Sequence, residues 1–184
     1  LSTYMGKPGD PTRLGLPFDE YMLRQTQHRA AEIAALLDTM PFIDRAHDLY
    51  GYDHFVCDSG GSICEVVDPE DPNDPILKPP SENLLMVWIK GSEAHTAELI
   101  RRFDRAPKPM YYQPEFLHAA SAPAKFVPVA FVRWAYARAL AHRQPRYEGM
   151  ARNWGLTITA EDVARVRSVA DFEDLISATL EAHG

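Results

Sequence analysis

The chain has 184 residues, 46% of them apolar, and a formal net charge of −7, material for one buried core and one domain. That balance, with only five lysines, argues against a nucleic-acid binder, because neutralising phosphates needs a clustered basic face. No apolar run approaches the ~20 residues of a membrane-spanning helix, and no stretch has the pattern of a signal peptide.

Residues 1–17 form a loop rich in glycine and proline. Asp19 is placed to cap a helix over 20–39, with Ile33, Leu36 and Leu37 on its inner face. A second, shorter helix over 41–51 is stopped by Gly51. "HFVC" (54–57) is too short for a helix and is flanked by turn formers, which suits a buried strand. The proline-punctuated acidic loop "DPEDPNDPILKPP" (68–80) excludes helix and central strand. "LLMVWI" (84–89) predicts a second apolar strand, followed by a helix with Ser92 at its N-cap and Glu93 at its positive end.

From residue 104 a basic, aromatic, proline-rich segment predicts an exposed flap, taken as 104–128. An amphipathic helix covers 131–143, and "HRQPRYEGMA" (142–151) ends it around a proline. "GLTI" (155–158) is a weak strand. The closing helix opens on Thr159-x-x-Asp162, an approximation to a capping box, and carries the stripe Val163, Val166, Phe172, Leu175, Ile176, Leu180. Apolar strands alternating with amphipathic helices predict an α/β fold: three layers, α/β/α, around a parallel sheet. In such sheets ligands bind beyond the carboxyl ends of the strands. Asp58 and Gly91 both fall at such ends.

Candidate chemistry follows from those positions. Asp58 can hold Mg²⁺ through water or take a proton from a hydroxyl, or simply cap a turn. "SGGS" (59–62) lets backbone amides approach an anion, or is a plain turn. Arg29 has Glu32 three residues on, the spacing of an exposed helical ion pair. Arg101, Arg102, Arg105 and Lys108 run from a helix end into the flap beside Tyr111 and Tyr112, which suits a phosphate clamp. Arginine outnumbers lysine 14 to 5, and its fork matches carboxylate and phosphate. Cys57 and Cys64, with six residues between them, match neither a zinc pair nor a small disulfide framework. They read as reduced core thiols of a cytoplasmic protein.

In chain order these pieces are "HRAAE", a strand with "DSGGS", "LLMVWIKGS" with a helix ending in "RR", "RAPKPM", "HRQPRYEGMA" and a closing helix. Over roughly residues 15–180 that series resembles shikimate kinase and related small-molecule kinases of the P-loop superfamily. The resemblance implies ATP and Mg²⁺ as cofactors and transfer of the γ-phosphoryl group to a small hydroxylated acceptor. It implies that Arg29 and Arg143 contact the acceptor and that Gly60 and Gly61 line its pocket. Arg102, Arg105 and Lys108 would close over the nucleotide phosphates, and Asp58 would stand by Mg²⁺ or the attacking hydroxyl.

Some features depart from the family. Ser2 and Thr3 stand where it has an acidic pair, "SGGS" has one glycine fewer, and the acidic loop 68–80 is additional. No G-x-x-x-x-G-K-[ST] occurs, and "GKPGDPT" (6–12) has the wrong order. The missing strand is central in this fold, so the resemblance implies that it and the P-loop come from about 30–50 residues ahead of Leu1. Leu1 in place of methionine agrees with that. Two alternatives use the same residues: an ATPase switch with water as acceptor, and a non-catalytic interaction module docking through "KPMYYQPEFL".

Overall fold

The computed structural model describes residues 16–105 and 129–183. Lys108, the flap from residue 106 to 128 and the "GKPGDPT" loop lie outside the described residues.

Helix α1 spans Phe18–Leu37. Pro17 occupies its N-cap position without a side-chain cap, and its carbonyl accepts the Tyr21 N–H at 2.9 Å. Asp19 therefore sits inside the first turn, where the helix dipole favours it, and not at the cap. Tyr21, Gln25 and Leu36 are the buried residues, whereas Leu37, expected inside, is 44% exposed. Helix α2 spans Thr39–Tyr50 and stops as predicted at Gly51. There φ is 63°, and the Gly51 N–H closes on His47 O at 2.8 Å. This left-handed conformation is one that glycine adopts freely and a branched residue does not.

The "HFVC" segment is not a strand. Val56 is 92% exposed and Cys57 is exposed, 3.9 Å from Thr39 Oγ1, so Cys57 is not a core thiol. A strand exists only where a neighbouring edge takes its backbone hydrogen bonds, and no described strand lies beside these residues.

The acidic loop is more ordered than its prolines suggest. After a 3₁₀ turn at Ile63–Glu65, the buried Asp74 carboxylate accepts the N–H groups of Asp68, Ile76 and Leu77, each at 2.8 Å. Asp68 and Asp71 close the intervening turns by accepting from Glu70 and Asn73. The loop even ends in a single helical turn, α3 (Lys78–Ser81). Its prolines fall at the first helical positions, where no N–H partner is needed.

β1 (Met86–Lys90) pairs in parallel with β2 (Gly155–Thr159), Met86 opposite Gly155 and Lys90 opposite Thr159. Between them run α4 (Glu93–Arg105) and α5 (Val129–Trp154). At the α4 N-terminus the Ser92 N–H donates to His95 Nδ1 at 3.1 Å. Helix α5 contacts both strands, α4 and the 3₁₀ turn. It runs straight through Pro145 to Trp154, where the sequence predicts an end near Arg143. A proline inside a helix costs ~3 kcal/mol. Past it, however, Met150 and Ala151 are almost wholly buried, and Tyr147 and Trp154 pack on the core, which outweighs the lost rung.

The single closing helix of the sequence reading is two helices, α6 (Ala160–Val163) and α7 (Val169–His183). Thr159 caps α6, accepting from the Asp162 N–H at 3.0 Å. Ser168 and Asp171 form a reciprocal capping box that restarts the chain as α7. The Asp171 carboxyl is held below its usual range by the backbone N–H of Arg167 and by the Ser168 hydroxyl.

The molecule is thus mixed α/β and mostly helical, with a two-stranded parallel sheet among the described residues. A three-layer arrangement is not what they form. Among the described residues one core cluster comprises Leu36, Ile63, Cys64, Val66, Val67, Ile76, Leu77 and Met150, most of it from the 63–77 loop, while Leu156 and Ile158 of β2 are also buried. Asp74→Ala should strip the acceptor from three buried N–H groups and cost on the order of 3 kcal/mol. Chemical denaturation would show this as a lower midpoint at unchanged slope.

Candidate functional site

Three elements meet around residues 58–67. Asp58 Oδ1 accepts the Gly60 N–H at 3.0 Å, closing a turn in which Gly60 has φ 71°. The Gly61 carbonyl accepts the Tyr147 hydroxyl of α5, and a Cβ at Gly61 would lie 3.1 Å from that oxygen. Ser62 donates to Glu32 Oε1 of α1. The other Glu32 oxygen lies 3.7 Å from His28 Nδ1. A side chain at Gly61 would crowd the tyrosine that α5 presses onto the turn, and at Gly60 the positive φ disfavours one.

Below the turn, α5 supplies two arginines. Arg143 Nε donates to Glu65 Oε1 at 2.7 Å, with side chains 6% and 3% exposed. Burial opposes the Arg143 charge, but the hydrogen bond and attraction of Glu65 prevail and hold the guanidinium above its usual range. Arg146 donates to the carbonyls of Cys64 and Val67 at 2.6 and 2.7 Å. Cys64, fully buried, has its thiol pushed up to about 11, chiefly by desolvation. Desolvation likewise pushes Tyr147 well above the usual phenol range.

Asp58, Gly60 and Gly61 share one turn, and α5 brings Tyr147 to it and Arg143 to Glu65 a few residues on. Asp58 is exposed and serves its own turn. Arg143 is buried against Glu65 instead of facing an incoming acceptor. Arg29 lies exposed on α1, and its expected partner Glu32 is engaged by Ser62, so Arg29 makes no ion pair among the described residues. Arg102 and Arg105 stand apart on the last turns of α4. Together with Arg101 they converge on Glu98 at 2.7–3.3 Å, and hydrogen bonding from Arg102 holds the Glu98 carboxyl below its usual range.

Sequence reasoning passed over Glu65, Tyr147 and Glu98, and read Arg146 only as favourable charge at a helix C-terminus. The spacing of Arg143, Arg146 and Tyr147, three and four positions apart, carries the signal, because such residues share one helix face. Compared with protein-family models, curated proteins and solved structures, the chain matches none.

Removing one member of the buried pair, by Arg143→Ala or Glu65→Ala, should destabilise the protein by about 3–5 kcal/mol, while an Arg143→Met, Glu65→Leu double variant loses much less. Thermal and denaturant melts of the three variants check this. Thiol labelling should modify Cys57 in the native protein and spare Cys64, as peptide mass mapping will show. The raised Cys64 pKa makes its stabilising contribution complete below the unfolded thiol's ~8.5. The contribution fades as pH climbs toward about 11.

Proposed function

We propose that this chain is the acceptor and lid portion of a P-loop-type kinase that moves the γ-phosphoryl group of ATP to a small hydroxylated acceptor. One observation carries the reading. The resemblance places a central strand between residues 54–57 and residues 84–89. Among the described residues these segments are not bonded to each other: β1 pairs only with β2, and 54–57 has no ladder. Parallel sheets are ordinarily covered on both faces and built of more strands. Here Ile89, the last residue of the apolar run 84–89, is 50% exposed, leaving room for a further neighbour. The strand and the P-loop would come from polypeptide ahead of Leu1, completing a three-layer α/β/α fold.

The residues present fit the implied cofactors to a limited extent. Mg²⁺ in such sites takes one or two carboxylates, waters and phosphate oxygens, so Asp58 alone would hold it through water; no larger metal-ligating group occurs among the described residues. Bound Mg²⁺ would neutralise charge on the phosphates. The chain's own contribution is positional: exposed Arg29, without an ion pair among the described residues, would offer its cation to an anionic acceptor, and Arg102 and Arg105 would face the phosphates.

The intact protein should contain a Gly-rich Lys-Ser/Thr loop upstream of Leu1, rise in melting temperature with Mg·ATP, and transfer phosphate. A gene whose upstream codons lack that loop, or an intact protein indifferent to Mg·ATP, would sink the proposal. The burial of Arg143 favours a second reading, an ATPase switch with water as acceptor. Phosphate release from ATP without any added metabolite would select it.

A further inference from the structure

Helix α2 buries little of itself. Of its residues only Thr39 is buried, yet the helix carries an apolar strip. Phe42, Ala46 and Leu49, spaced four and three apart, share one face. Phe42 is 57% and Leu49 60% exposed. Tyr50, 67% exposed, widens the strip at its C-terminal end, and Tyr52 stacks on it with ring centroids 5.3 Å apart. Single exposed apolar residues need no explanation, but a contiguous row of large ones marks a surface for contact.

The charges along its edge say what kind of contact. Arg45 stands three residues after Phe42 and four before Leu49, so it borders both. Its side chain makes no ion pair among the described residues. Asp48 lies on the same flank three positions on, and its carboxylate has the exposed His47 at 3.6 Å. Arg45 and Asp48 do not pair with each other.

Such a flank is its own complement under a two-fold axis. Lay a second copy of the helix antiparallel, with Ala46 on the axis. Phe42 then comes level with the partner's Tyr50 and packs beside the partner's Leu49. Arg45 falls within one residue's rise, about 1.5 Å, of level with the partner's Asp48, and the symmetry makes that contact twice. Ala46 is small, so the two backbones can approach closely.

We infer that α2 is a self-association face, on which a second copy of this chain docks antiparallel through Phe42, Leu49 and Tyr50 and pairs Arg45 with the partner's Asp48. A second copy suits the strip because it supplies both the apolar row and the two opposite charges in the required order. Aromatic side chains bury about 150–250 Å² each, so at these exposures the strip covers roughly 400–500 Å² per copy. Standard stable interfaces total roughly 1,200–2,000 Å². The dimer is therefore weak, with Kd on the order of 10–100 μM. The face contains none of the residues assigned to phosphotransfer.

Sedimentation velocity on the intact protein, at loadings from about 5 to about 500 μM, should show the mass rising toward that of a dimer. L49D, at an exposed position, should melt like the unmodified protein and stay monomeric at every loading. R45D and D48R should each weaken association roughly 5-fold or more. The exchange R45D/D48R should return it to within about twofold, a rescue that misfolding cannot imitate. A chain monomeric at all loadings, as it would be with the strip covered by a different protein or by further polypeptide of its own, overturns the inference. So does a dimer that L49D leaves intact, or an exchange variant as weak as the single ones.

Discussion

The fold turns on the grip that α5 holds over residues 61–67. Arg143 neutralises Glu65 where water cannot reach, and Arg146 satisfies the carbonyls of Cys64 and Val67. Those carbonyls belong to a tight turn that has no ladder to join, and an unpaired buried carbonyl is costly. Once they are satisfied, Ile63, Cys64, Val66 and Val67 can pack against Leu36 of α1 and Met150 of α5. Without the two arginines the apolar members of the loop would be left beside orphaned polar groups.

The same grip positions the candidate site. Tyr147 lies one residue beyond Arg146 on the helix, so clamping the turn delivers its hydroxyl to Gly61. Ser62, held next to it, reaches Glu32 and ties α1 to the same point. Glu32 is thereby engaged by Ser62 and His28, and exposed Arg29 has no ion pair among the described residues. The arginines at the end of α4 follow a different logic, since they are exposed, mutually repelling and gathered by a single carboxylate.

Much of the local structure was legible in the residues. Gly51 stops α2 and Thr159 starts α6 because each acts on backbone groups within four residues. Ser168-x-x-Asp171 was equally local and went unread, which is why one helix was expected where two stand. The acidic loop misled through its prolines. Their restriction on helix holds for an interior, whereas here they open a helical turn and the aspartates supply the acceptors. Asp58, Gly60 and Gly61 form one turn, one of the two readings their residue types allow. The choice between a turn aspartate and a ligand was not decided by their identity, because both use the same carboxylate.

By itself the sequence determined that Gly51 stops a helix and Thr159 starts one, much of which faces are apolar, and that "LLMVWI" and "GLTI" hold strands. These depend on interactions a few positions apart and on side-chain periodicity. Only the tertiary structure decided that "HFVC" stays outside the sheet, that α5 continues through Pro145, and that Arg143 belongs to the core. Its partner Glu65 is 78 positions away, and the carbonyl of Cys64 lies 82 from Arg146. Strand formation, the worth of a helix past a proline, and the fate of a buried charge are set by what packs alongside, and no run of neighbouring residues contains that information.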